Sequence, residues 1–105
     1  MAANVVKVAS SALVSVEFEV FGKVQGVFFR KCTKKKAIEH GLVGWVKNTK
    51  TNTVVGQAQG SKDKISLLKT WLRTKGSPHS VVQRAVFKNE KPIDQLVYTQ
   101  FDIIR

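Results

Sequence analysis

Apolar and polar residues alternate from Val14 to Val20. Val14, Val16, Phe18 and Val20 fall on one face, and Ser15, Glu17 and Glu19 on the other. A period of two marks a strand with one face on a core. Gly22 ends it. Over Phe29 to His40 the period becomes helical: Phe29, Thr33, Ala37 and His40 recur on one side with Cys32 beside them, while Lys34, Lys35 and Glu39 point outward. Gly41 follows in the position where a left-handed residue closes a helix.

A second strand runs from Leu42 to Asn48, carrying Leu42, Val43, Trp45 and Val46. A polar turn over Thr49 to Asn52 then leads into a third strand, Thr53 to Gln59. Asn52 can take the left-handed conformation that such a turn needs. Ser61 is an N-cap candidate for a second helix over 62–75, whose stripe of Ile65, Leu68 and Leu72 is widened by Leu67 and Trp71. Gly76, Ser77 and Pro78 stop that helix. "SVVQRAVFK" predicts a fourth strand, "NEKPIDQL" a polar connection, and "VYTQFDII" a fifth strand with Thr99, Phe101 and Ile103 inward. The order βαββαβ predicts an α+β, ferredoxin-like sandwich: an antiparallel sheet with both helices on one face.

With 105 residues, 43% of them hydrophobic and 24% charged, the chain can fill one core and has little length for a second. Residues 1–12 lack a sustained pattern and are expected to form a loosely ordered leader, with a single domain over 13–105. The leader's apolar run is too broken for a membrane span. Cys32 is the lone cysteine, which excludes an internal disulfide and fits a reducing, cytoplasmic setting. The seven carboxylates, His40, His79 and Cys32 show no ligand-like spacing, so no metal or other cofactor is expected. The outlying quantity is a net charge of +11, with a pI near 10.2. Such an excess attracts nucleic acid, an anionic membrane surface or small anions without saying which, and a spread of lysines over a solvated surface needs no partner at all.

In such a sandwich the first strand climbs, the first helix descends and the second strand climbs again. Asn48 therefore returns to the rim that carries Gly22 to Phe28. The lengths agree, since the helix descends about 18 Å and the second strand climbs about 23 Å. Glycines at 22 and 26 let several main-chain N–H groups turn into one hollow, and the first helical turn adds free donors at the positive end of its dipole. Arg30 sets a planar cation beside that hollow. From these residues alone two readings stay open: a phosphate-sized anion pocket, or a tight strand-to-helix turn with a surface arginine.

"FGKVQGVFFR" at 21–30, Ala37, "GLVGWVKN" at 41–48 and "GQAQG" at 56–60 together resemble the acylphosphatases, and the likeness runs on to "YTQFDI", covering about residues 14–105. The joint pattern G-x-V-Q-G-V-x-F-R, followed by G-W-V-x-N, carries the resemblance. It implies a cytoplasmic, monomeric hydrolase without a cofactor, which cleaves the carboxyl–phosphate bond of acyl phosphates to a carboxylate and inorganic phosphate. By the resemblance, the family's phosphate-binding arginine falls on Arg30 and its water-positioning asparagine on Asn48. Its phosphate-cradling loop falls on Gly22, Lys23, Val24, Gln25, Gly26, Val27, Phe28 and Phe29. Asn52 departs from the family's usual turn glycine, and the run Lys34–Lys36 is heavy even for a basic family.

Two alternatives compete. RNA-recognition modules share the βαββαβ order and would suit the charge, but they stack bases on aromatics of the open sheet face. Here the first strand offers Glu17 and Glu19, and the third Val55, Gln57 and Gln59. The other alternative is a non-catalytic anion sensor, against which Arg30 and Asn48 are both present. No obligatory nucleic-acid partner is expected.

Overall fold

The structure, a computed structural model, describes residues 12–105, so the leader expected over 1–12 lies almost wholly outside the described residues. Ala12 is tied down, its carbonyl accepting from the Lys62 N–H at 3.0 Å. Strand β1 (Leu13–Lys23) buries Val14, Val16, Phe18 and Val20, the face that its alternation predicts. It runs between β4 (Val81–Ile93) and β3 (Val54–Ser61). β2 (Val43–Asn48) pairs with the other side of β3, and β5 (Phe101–Ile104) forms the far edge, giving the order β4-β1-β3-β2-β5. Helix α1 (Phe29–Glu39) packs on β2 and β5, and α2 (Lys62–Thr74) on β1, β3 and β4. Phe18, Phe29, Phe101, Ile65, Leu68 and Leu72 are fully buried where the helices meet the sheet. Side chains of this size each contribute about 1.5–3 kcal/mol on burial.

The expected sandwich is present, with one difference: β2 and β5 pair in parallel, Gly44 opposite Phe101 and Val46 opposite Ile103, so the sheet is mixed at that edge. β5 therefore ends at the same rim as β1 and β2.

The last third of the chain departs from the predicted boundaries. β4 does not stop at Lys88 but continues to Ile93, with Lys91, Pro92 and Ile93 opposite Ser15, Val14 and Leu13. Asn89 and Glu90 together oppose Val16, a bulge at which Asn89 takes φ +54°. β4 is an edge strand, which tolerates Pro92, and its extension 89–93 has few apolar residues to advertise its period. Conversely, residues 97–100 are not strand, and Thr99 is exposed rather than inward. The segment crosses the sheet face opposite the helices. The Val97 N–H donates to Gln59 Oε1 at 2.9 Å, and the Tyr98 hydroxyl to Gln57 Oε1 at 2.8 Å. Polar side chains of β3 thus pin it down, which leaves Gln59 only 3% exposed.

Candidate active site

The loop between β1 and α1 is shaped by two glycines with different duties. At Gly22 φ is +129°, and a Cβ there would meet the Val81 carbonyl oxygen at 2.1 Å. The register of β1 against β4 shifts at this point, so Gly22 serves the close approach of the two strands. Gly26 has φ +74° and open space around it, so conformation alone demands glycine there. Phe28 follows at φ 59°, ψ 25°, with Val27 between them outside the positive-φ region. This alternation of hand along the main chain turns successive N–H groups toward one hollow.

Phe28 is also the N-cap of α1, and neither a capping side chain nor an acidic residue occupies the first turn. The opening N–H groups of the helix are therefore free at the positive end of its dipole. Phe29 holds this end in place. It is 1% exposed, and its ring centroid lies 5.7 Å from that of Trp71. Arg30, next along, is half-buried and makes no ion pair among the described residues. Its planar fork of donors is left to a ligand.

Asn48 ends β2 at the same rim, and its side-chain Oδ1 is buried without a hydrogen-bond partner. A buried acceptor left unpaired costs about 1–3 kcal/mol. The hairpin after it closes by Thr49 N–H to the Thr53 carbonyl at 2.9 Å, with Asn52 in the left-handed region at φ +67°, as its residue type allows. Gln25 reaches over from the loop, its Nε2 donating to the carbonyls of Thr49 and Thr53, both at 2.9 Å. The Thr53 hydroxyl in turn donates to Glu19 Oε2 at 2.7 Å. The anion-facing loop and the strand that carries Asn48 are thus fastened to each other.

Val24, Gly26, Phe28, Phe29, Arg30 and Asn48 all line one cleft of about 860 Å³. Gly22, Lys23, Gln25 and Val27 of the expected loop do not. Gly22 serves strand packing, the Gln25 side chain serves the hairpin, and Val27 is a buried core residue. The cleft also holds residues that the sequence reading did not assign to it. Lys31, Lys34, Lys35 and Ile38 come from the facing stripe of α1, and Ile103 and Arg105 from the end of β5. Lys34 and Lys35 therefore face the site, whereas Lys36 pairs with Glu39 at 3.6 Å. Five cationic side chains (Arg30, Lys31, Lys34, Lys35 and Arg105) stand against one carboxylate, Glu39, on the walls. The parallel pairing of β5 with β2 was the missing signal, because it brings the end of β5 to this rim.

The open face of the sheet carries Trp45, with Lys47 Nζ 5.7 Å over its ring and its indole N–H donating to the Tyr98 hydroxyl at 3.2 Å. On the same sheet, the Arg84 guanidinium lies 4.1 Å from the Phe21 ring. These rings are occupied by the protein's own groups, unlike a base-stacking platform.

Comparison with known proteins agrees with the geometry. The family model described as acylphosphatase matches residues 16–103. Acylphosphatase-1 of Mus musculus is 54% identical over 93 residues, covering 89% of this chain and 94% of the relative. Acylphosphatase-2 of Homo sapiens is 51% identical over 94 residues, covering 90% and 95%. Among solved structures, an acylphosphatase from Coxiella burnetii superposes with a TM-score of 0.79 at 36% identity, covering 89% of this chain and 94% of its own. The acylphosphatase from Bacillus subtilis gives 0.80 at 29% identity, covering 88% and 99%. The chain belongs to the acylphosphatase family and is an acyl phosphate hydrolase.

Proposed function

We propose that this chain hydrolyses acyl phosphates with Arg30 and the cleft-lining part of the 22–29 loop (Val24, Gly26, Phe28 and Phe29) as the phosphoryl cradle and Asn48 as the residue that orients the attacking water. The juxtaposition of Arg30 and Asn48 across one cleft, beside an uncapped helix start, carries this reading. The main-chain donors of the loop and the first turn of α1 hold the phosphoryl oxygens, and Arg30 adds bidentate, charge-assisted bonds. Transfer through a loose transition state asks mainly for such positioning and charge stabilisation.

Asn48 lines the cleft opposite Arg30, where its side-chain amide can orient a water. That water attacks phosphorus as the bond from phosphorus to the acyl oxygen breaks, and the carboxylate leaves with the electron pair. A carboxylate is a weakly basic leaving group and needs no general acid. A carboxamide cannot take the proton from water, so it passes to a phosphoryl oxygen of the substrate, and the products are carboxylate and inorganic phosphate. The charge is met by protein donors throughout, so turnover needs no added metal. The same proposal has the chain acting as a monomer. A cytoplasmic location fits its free cysteine, and among the described residues no helix is long and apolar enough to cross a membrane.

Hydrolysis of benzoyl phosphate, followed in the ultraviolet with a chelator present, tests this reading. Activity should persist with chelator and fall at least about a thousandfold in Arg30→Ala. Full activity in that variant, or loss of activity on chelation, would overturn the assignment.

A further inference from the structure

We propose that the acyl end of the substrate lies in a groove along α1, and that this groove selects linear hydrocarbon acyl chains of medium length. The inference rests on the acyl phosphate reading of the cleft and names the substrate class that the cleft is shaped for.

The phosphoryl site opens onto apolar surface. Phe28 is 73% and Ile38 58% exposed, and both line the cleft together with Ile103. Ile38 is an apolar residue in an otherwise cationic stripe: 31, 34, 35 and 38 are spaced to share one face of α1, and the other three are lysines. Nothing among the described residues covers it.

A second hollow of about 420 Å³ lies further down the same helix and shares Lys34 and Ile38 as walls. It continues past Leu42 and Val43 to Thr99 and Phe101. The two hollows adjoin along α1 through the shared walls Lys34 and Ile38, and we take them as one groove from the anion loop at one rim to the foot of the helix. From Arg30 to Gly41 it extends about 17 Å, which admits an extended chain of about ten carbons beyond the reacting carbonyl.

The occupant follows from continuity and charge. An acyl phosphate held at Arg30 must direct its acyl group out of the anion hollow, and this groove begins there. Lys31, Lys34 and Lys35 can lay their methylene stems along an alkyl chain while their ammonium groups stay in water. An apolar floor with a cationic rim suits an amphiphile whose head is the phosphoryl anion.

A homologous series from acetyl to decanoyl phosphate, each below its micelle concentration, tests the proposal. kcat/KM should rise about twofold per methylene, because a half-open groove buries only part of each, and level off near ten carbons. Alkylphosphonates of the same lengths should inhibit with a parallel trend. Ile38→Ser should flatten both trends. Thr99→Trp, at the far end, should slow only the octanoyl and decanoyl substrates. A flat series with Arg30-dependent acetyl phosphate hydrolysis would overturn the groove assignment alone. Hydrolysis of no member of the series would overturn the underlying reading as well. Sedimentation showing a wild-type dimer that Ile38→Ser dissociates would assign the groove to a second copy and also overturn the proposal.

Discussion

Replacing Gln25 with alanine removes a donor that the fold uses twice. Its Nε2 serves the carbonyls of Thr49 and Thr53 at 2.9 Å each. The Thr53 carbonyl keeps the Thr49 N–H at 2.9 Å and the Thr49 hydroxyl at 3.3 Å. The Thr49 carbonyl keeps no other partner among the described residues. A part-buried hydrogen bond is worth about 1 kcal/mol net, and water can meet part of the orphaned carbonyl's need, so the substitution should cost about 1–2 kcal/mol. For a domain of this size that lowers Tm by roughly 5–15 °C. Urea unfolding followed by the fluorescence of Trp45 and Trp71 should show the shift with an unchanged m-value. Because Thr49 adjoins Asn48, kcat should fall several-fold while inhibition by inorganic phosphate moves by less than about threefold. Gln25→Glu keeps the size but loses the donor, and should be at least as unstable. Stability within about 0.3 kcal/mol of wild type in either variant would refute the fastening role.

The two loop glycines should separate cleanly. Gly22→Ala places a Cβ 2.1 Å from the Val81 carbonyl oxygen and should cost more than about 2 kcal/mol in urea unfolding. Gly26→Ala meets nothing within 4 Å and should cost only the roughly 1 kcal/mol of a left-handed alanine, while weakening phosphate inhibition. Reversing Lys34 and Lys35 to glutamate changes the cleft walls from five cations and one carboxylate to three of each. kcat/KM for benzoyl phosphate should then drop about tenfold at low salt, with the gap closing as ionic strength rises. A loss independent of salt would contradict a steering role.

Elements with a clear period were legible in the sequence. β1 and α2 place their buried side chains where alternation and the stripe of Ile65, Leu68 and Leu72 put them, and α1 buries Phe29, Thr33 and Ala37. The end of β4 was hidden because Lys88 to Pro92 are all exposed and need no apolar rhythm, and the bulge at Asn89 shifts what rhythm there is. Residues 97–100 imitate a strand through Val97 and Tyr98, yet hydrogen bonds to Gln57 and Gln59 hold them across the opposite face. In the cleft, Arg30 and Asn48 could be brought to one rim by chain direction alone. Ile103 and Arg105 could not, because nothing in their residue types reveals that β5 pairs in parallel with β2. Nor does the identity of Gln25 disclose that its side chain faces the hairpin carbonyls and leaves only its main chain to the loop.

The division of labour across the cleft is tested most directly by Asn48→Ala, with turnover of benzoyl phosphate and calorimetric binding of inorganic phosphate measured on the same preparation. If Asn48 orients water while Arg30 and the main-chain donors hold the phosphoryl group, kcat falls by a factor of about 100 or more and the phosphate Kd stays within about threefold. Comparable losses in both quantities, or an unchanged kcat, would contradict it.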